Sequence, residues 1–440
     1  MSDPQTSARE VAPAQAFDVG ASVASWTLFI LFLSNLVSVA DRALLGVVTE
    51  PVRVELGLSD TEMSLANGLL FVAFNLVAGI FIARLVDRGN RKRILIVGVL
   101  GWSIATAATA YATDFATLSL ARVAVGIGEA TVFPVALSLI SDIFRPIRRA
   151  GAVAVFQSSN FVGVVGGTII AGVFAAALGW RNMFIVCGAA GAVLAALVTL
   201  TVREPQRETE RRSEVEPVAD YFVDLIRGAR RILSTPGFVP LALGFGFSAT
   251  LGATLGAWGP AFLQRLHHVP LARVGLVIGP PVGIGGICGM IFSGLLANYV
   301  VKRTGRQLDM VRIPIVTLPL ALPFIIGFVF SSNLTVAMVS AGAMNFLLSC
   351  AAAPSVTLAV GLVAPTDRGL TSTLLLASSG LLGGALGPFI VGLISDLLTA
   401  TQDAEGLRYG LSFLITVPVF STLALVFAWR TGLRRAAALA

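Results

Sequence analysis

Four ionisable residues stand inside stretches otherwise apolar enough to lie in lipid. Asp41 and Arg42 close the run Asn35-Leu-Val-Ser-Val-Ala-Asp41-Arg42, and Arg122 and Glu129 bracket Arg122-Val-Ala-Val-Gly126-Ile-Gly128-Glu129-Ala130. Each costs roughly 2.5 to 3.5 kcal/mol to place mid-membrane, so the set represents on the order of 10 kcal/mol. The four charges cancel, and the seven-residue spacing puts Arg122 and Glu129 on one helical face. Two kinds of chemistry fit. Carboxylates beside arginines in a cavity that alternately meets water can change protonation, each unit of pKa shift carrying about 1.4 kcal/mol of coupling. The arginines offer paired donors to an anionic head group. The structural alternative is two buried salt bridges that only fix helix packing.

Only membrane-spanning helices can position such charges. The chain has 440 residues, 56% hydrophobic and 12% charged, with a mean hydropathy of +0.86. About 20 apolar residues cross a bilayer as a helix, and apolar runs of that length fall at 24–49, 62–86, 93–112, 116–141, 151–178 and 183–202. A second set follows at 238–263, 272–301, 311–331, 333–363, 369–398 and 408–429. The fold class is therefore an all-α membrane protein of twelve transmembrane helices. Of the 31 Lys and Arg residues, 24 fall at the termini and around the even-numbered loops and five around the odd-numbered ones. The positive-inside rule then predicts cytoplasmic termini for a multi-pass protein of the cell (inner) membrane. Span one runs outward and span four inward, which sets Arg42 and Arg122 at similar depth in the outer half and Glu129 about two turns deeper.

A pI near 10 could mean nucleic acid, but the charge follows topology, so no nucleic-acid partner is expected. The cysteines Cys187, Cys288 and Cys350 lie in apolar stretches without metal-ligand spacing and read as packing residues. The polar tail 1–23 shows no signal-peptide cleavage site, so the first span is expected to be retained. His267 and His268 are adjacent and read as an outer interfacial loop. With those two histidines there is no HExxH site, and no GxxxxGK[ST] loop occurs. Gly126-Ile-Gly128-Glu129 differs from the G-x-G-D of intramembrane aspartyl proteases in its Glu and has no tyrosine-aspartate partner. No enzyme, cofactor or metal is expected.

The predicted organisation is a cytoplasmic tail (1–23), a six-helix bundle (24–202), a charged cytoplasmic linker (203–236), a second six-helix bundle (237–430) and a cytoplasmic tail (431–440). In the linker, Val218, Phe222, Leu225, Ile226 and Ala229 share one helical face and Arg227, Arg230 and Arg231 lie near the other, which predicts an interfacial helix. The halves echo each other: Gly163 and Gly166 match Gly384 and Gly387, Arg148 matches Arg368, and Ala83-x-x-x-Asp87 matches Gly294-x-x-x-Asn298. Duplicated bundles place a transport site at their interface.

Ala83-Arg-Leu-Val-Asp87-Arg88-Gly-Asn90-Arg91-Lys92 resembles the loop 2-3 motif of the major facilitator superfamily, G-x-x-x-D-R-x-G-R-R, with Ala83 and Asn90 in place of glycines. Asp142 with Arg145-Pro-Ile-Arg148-Arg149 resembles its loop 4-5 element, and Gly179-Trp180-Arg181-Asn-Met-Phe184 another habit of that superfamily. The resemblance implies that Asp87, Arg88, Arg91, Asp142, Arg148 and Arg149 form a cytoplasmic latch between the bundles, with positive-inside anchoring as the plainer alternative. The D-R-x-N-R-K form, the A-D-R of span one and the R-x-x-x-G-x-G-E-A of span four are similar to the Spinster branch of lysolipid and sphingolipid transporters, over the whole chain. That resemblance implies a central cavity lined by spans one, four, seven and ten. Asp41, Arg42, Arg122 and Glu129 would bind substrate there, Asp41 and Glu129 would couple protons, and Trp258 and Asn345 would join them from the second half. Spans seven and ten carry no internal charge, and a charged wall facing an apolar one suits an amphiphile. Organic-anion/proton symport and multidrug efflux within the same superfamily remain alternatives. The expected partners are the bilayer, protons and a small lipid-like substrate, and the expected state is a monomer.

Overall fold

The computed structural model describes residues 20–205, 218–364, 367–402 and 405–439. Twelve helices among them are long and apolar enough to cross a membrane. They are Ser22–Val47, Asp60–Arg88, Arg91–Thr109, Phe115–Ile143, Ile147–Leu178 and Trp180–Thr201 in the first half. Phe238–Leu266, Leu271–Thr304, Gln307–Phe330, Leu334–Gly361, Arg368–Leu398 and Gly406–Gly432 make the second. They are spans 1 to 12 below. An even number of spans puts the described ends of the chain on one face of the membrane, called here the terminal face.

Local sequence sets the boundaries. Ser59 opens span 2 with a capping box: its hydroxyl accepts from the Glu62 N–H at 3.1 Å, and the Glu62 carboxylate accepts from the Ser59 N–H at 2.9 Å. Asn90 and Asp114 cap spans 3 and 4, each accepting a backbone N–H at 2.8 Å, and Asp114 completes a second capping box with Thr117. Gly179, at φ +80°, makes the turn between spans 5 and 6 that a side chain would strain.

Three irregularities bear on function. Span 4 breaks at Ala130 and Thr131, directly after Glu129, and span 10 breaks at the corresponding Cys350 and Ala351. Span 2 carries a π-helical stretch at Leu65–Leu70 and span 11 another at Ser379–Leu386. Such widened turns re-aim the residues that follow them and concentrate at working sites.

Spans 1, 3, 4, 5 and 6 pack into one bundle with span 2 on its flank, and spans 7 to 12 make the other. The bundles meet where span 5 lies on span 8, span 2 on span 11 and span 1 on span 7. Small residues allow the approach, as van der Waals packing in lipid requires. A Cβ on Gly167 would stand 2.6 Å from the Cα of Ala40, and one on Gly275 only 2.0 Å from the Thr168 carbonyl oxygen across the bundle interface.

The linker helix forms at Val218–Leu233. Its packed side is Tyr221, Phe222, Leu225, Gly228, Ala229 and Ile232, whereas Ile226, expected on that face, is 64% exposed. The reason is its double engagement. Phe222 and Tyr221 turn toward Phe81 and Arg84 of span 2, while Gly228 rests on Leu370 and Arg231 donates to Asp367 before span 11.

Candidate substrate cavity

Span 1 and span 4 bring the four charges together as two crossed pairs. Arg42 donates from Nε to Glu129 Oε2 at 2.5 Å, with the Arg42 side chain 45% exposed and that of Glu129 buried. Arg122 Nη1 stands 3.8 Å from Asp41 Oδ2, both buried. Thr106 of span 3 donates to the Asp41 carboxylate at 3.0 Å. Arg42 and Arg122, expected at similar depth, do lie over one ring, that of Phe71, but each pairs with the carboxylate of the other span.

The pairs are under-satisfied. Arg122 Nε and Nη1 and Glu129 Oε1 are buried without a hydrogen-bond partner. Buried ions normally fill such valences, because each unfilled one adds to the desolvation cost. Their common neighbour is Phe71 of span 2: the guanidinium carbons of Arg42 and Arg122 lie over its ring at 5.5 and 5.2 Å. Contacts of this kind stabilise by about 0.5 to 1 kcal/mol where exposed, as for Arg42, and by about 2 kcal/mol where desolvated, as for Arg122.

A cavity of about 480 Å³ opens beside them. Its first-bundle wall includes Arg42, Asn67, Phe71, Arg122, Asn160 and Thr168. Its second-bundle wall is Ala249, Gly252, Ala253, Gly256, Ala257, Trp258, Val282, Ser379, Gly380, Gly384 and Pro388. One wall is charged and amide-bearing; the other is almost wholly apolar. Asp41 and Glu129 sit behind the first wall, reaching the cavity through their arginines.

Trp258 is on the wall, its Nε1–H held by the Pro388 carbonyl at 3.1 Å. Asn345 is not among the lining residues: its amide donates to the Val282 carbonyl of span 8 at 2.6 Å. The lining comes from spans 1, 2, 4, 5, 7, 8 and 11, so span 10, expected to contribute, stands behind span 8. Asn160, Asn67 and Phe71 were missed in the sequence. Asn160 could have been found, since Asn35 and Asn160 are polar inside spans 1 and 5, and the Asn35 amide indeed donates to Ser159 and Asn160 at 2.7 and 3.2 Å.

On the face opposite the termini a second charged cluster joins the two bundles. Arg265, at the end of span 7, donates to both oxygens of Asp60 at 2.7 Å and to Glu50 at 2.5 Å. Ser395 of span 11 donates to Asp60 at 2.6 Å, and Asp396 accepts the Asp60 and Thr61 backbone N–H groups at 2.9 and 2.7 Å. A carboxylate is thus docked on the N-terminus of span 2, where the helix dipole favours it. Every one of these bonds crosses between bundles.

On the terminal face one buried arginine ties the first bundle together. Arg91, buried, donates to Asp142 and, at 2.7 Å, to Glu204, tying spans 3, 4 and 6. Arg149 donates to the Phe144 carbonyl at 2.9 Å. Asp87, Arg88 and Arg148 are exposed at the ends of spans 2 and 5. On the face opposite the termini, the Gly-Trp-Arg turn between spans 5 and 6 is a structural clasp. Trp180 and Arg181 donate to Glu55 at 2.5 and 2.9 Å, and Arg181 also takes the Ala110 and Ala112 carbonyls. These bonds hold the Glu55 carboxyl below its usual range.

Residues 31–332 match the family model of the Major Facilitator Superfamily. The chain belongs to that superfamily. A chain described as an MFS-type efflux pump of Mycolicibacterium smegmatis is 30% identical over 408 residues, 92% of each chain. Protein spinster homolog 1 of Homo sapiens is 28% identical over 84% of this chain and 72% of its own. Among solved structures, a bacterial homologue of the human lysosomal transporter Spinster, in its inward-facing and unoccupied conformation, superposes with a TM-score of 0.82. That protein is 26% identical over 94% of this chain and 99% of its own. This is a Spinster-like secondary transporter of the superfamily, not an enzyme.

Proposed function

We propose that this chain moves an anionic, lipid-like amphiphile of the lysophospholipid or sphingosine-phosphate type by alternating access, driven by protons that Asp41 and Glu129 exchange. The observation that carries this reading is the two-walled cavity: unfilled guanidinium donors on one side, an apolar surface of small residues on the other. A phosphate or carboxylate would take the arginine donors and an acyl chain the opposite wall. Protonating Glu129 removes the charge that holds Arg42, so proton uptake and head-group capture are linked through one nitrogen.

With the basic terminal face in the cytoplasm, the network around Arg265 and Asp60 is an outer gate, shut here, and the cavity faces inward. Asp87, Arg88, Arg91, Asp142, Arg148 and Arg149 are then the cytoplasmic latch, engaging the second bundle when the cavity turns outward. Trp258 supports the apolar wall, and Asn345 acts on it through span 8. Similarity to an efflux pump over 92% of the chain favours export as the direction of movement.

Binding tests the substrate class. Purified protein in nanodiscs should bind a labelled lysophosphatidate, competed by sphingosine phosphate and not by a short dicarboxylate. Competition by the dicarboxylate alone would move the protein to organic-anion symport.

A further inference from the structure

We propose that Phe71 is a positioning and specificity-determining residue: its ring holds Arg42 and Arg122 ready for an anionic head group and so sets the preference for anionic over neutral amphiphiles. The proposal deepens the reading of the cavity given above and rests on it.

The ring is unusual in serving two like charges. The guanidinium of Arg42 from span 1 and that of Arg122 from span 4 both lie over it. Arg122 has little else: Nε and Nη1 make no hydrogen bond, and the nearest Asp41 oxygen is 3.8 Å away. Arg42 uses only Nε on protein, leaving its outer nitrogens toward the cavity that Phe71 also lines. The two arginines therefore carry unfilled donors on one aromatic platform, Arg122 buried and Arg42 part-exposed.

The backbone fixes that platform. Phe71 follows directly on the π-helical stretch Leu65–Leu70, whose extra residue per turn rotates it onto the charges. Gly126, one turn past Arg122, receives it. A Cβ there would lie 2.8 Å from the Phe71 carbonyl oxygen and 3.2 Å from its ring. Asn75, a turn further along span 2, donates to the Gly126 carbonyl at 2.8 Å and clamps the register. The charged groups over the ring are Arg42 from span 1 and Arg122 from span 4, paired with Glu129 and Asp41 respectively. Span 11 brings Ser379, Gly380, Gly384 and Pro388 to the cavity, none of them charged.

A long arginine side chain loses rotamer freedom when it binds a ligand, and one already ordered on a ring loses less. The ring thus preorganises the donors for an anion and does nothing for a neutral head group. Leucine at position 71 would keep the apolar burial and remove the aromatic face.

The test compares binding of lysophosphatidate and of a monoacylglycerol with the same acyl chain to wild type, Phe71→Leu, Phe71→Tyr and Phe71→Trp in nanodiscs. Phe71→Leu should weaken the anionic ligand roughly five- to tenfold and leave the neutral one unchanged, with Tyr or Trp restoring the difference. Should the leucine protein not fold, Phe71→Met reads the same quantity. Equal losses on both ligands, or no loss on the anionic one, would overturn the proposal. Arg42→Ala separates the two levels. If it binds both ligands as wild type does, the head-group reading itself fails; if it loses the anionic preference while Phe71→Leu keeps it, only the role of Phe71 fails.

Discussion

At the scale of single residues, two crossed ion pairs with unfilled valences give testable consequences. Glu129 is buried against Arg42 with one oxygen unbonded, so Glu129→Gln should flatten the pH dependence of transport while leaving the protein folded. Arg122 and Asp41 are buried together. Removing one partner of such a pair typically costs about 3 to 5 kcal/mol, whereas removing both costs far less. Arg122→Ala should therefore lower thermal stability sharply, and adding Asp41→Asn should recover much of the loss; additive losses would show that the pair does not interact. All four charges were legible in the sequence, because an ionisable group in an apolar run stands out. Their pairing was not, since it depends on how spans 1 and 4 turn against one another, which spacing along one chain does not fix. Phe71 was invisible for the opposite reason: an aromatic in a span reads as packing until two arginines are seen over it.

At the scale of elements, the spans were legible to within a few residues from length and hydropathy, as was the linker helix. What covered each face was not, and Ile226 shows why. An amphipathic stripe says which side is apolar but not that span 2 and the segment before span 11 will divide it. The gate around Arg265 and Asp60 was equally hidden, because charges at span ends read as boundaries. Arg265→Ala should shift the population toward outward-facing forms, seen as greater spin-label separation across spans 2 and 11 on the face opposite the termini. An unchanged distance distribution would remove the gate's role. The linker brace has a pH signature. Arg231 holds the Asp367 carboxyl below its usual range, so its contribution is complete above that range and is lost as pH falls through the lowered value. Asp367→Asn should raise hydrogen exchange in the helix at Val218–Leu233 at neutral pH.

At the scale of the whole molecule, the duplicated halves fix the architecture but use it asymmetrically. The first bundle carries every buried intramembrane charge of the site, and the second supplies a smooth wall and one arm of the gate. Under the proposed function, alternating access would move an apolar surface past a fixed polar centre. The resemblance carried by span 1, span 4 and the loop after span 2 pointed to the superfamily and its Spinster branch, and the similarity to the relatives extends over most of the chain. The most direct test of the account is flux of labelled lysophospholipid through proteoliposomes of wild type and Glu129→Gln, with and without an imposed pH gradient. The account predicts saturable flux that the gradient accelerates in wild type and not in the variant. Flux indifferent to the gradient in both, or equally gradient-driven in both, would contradict it.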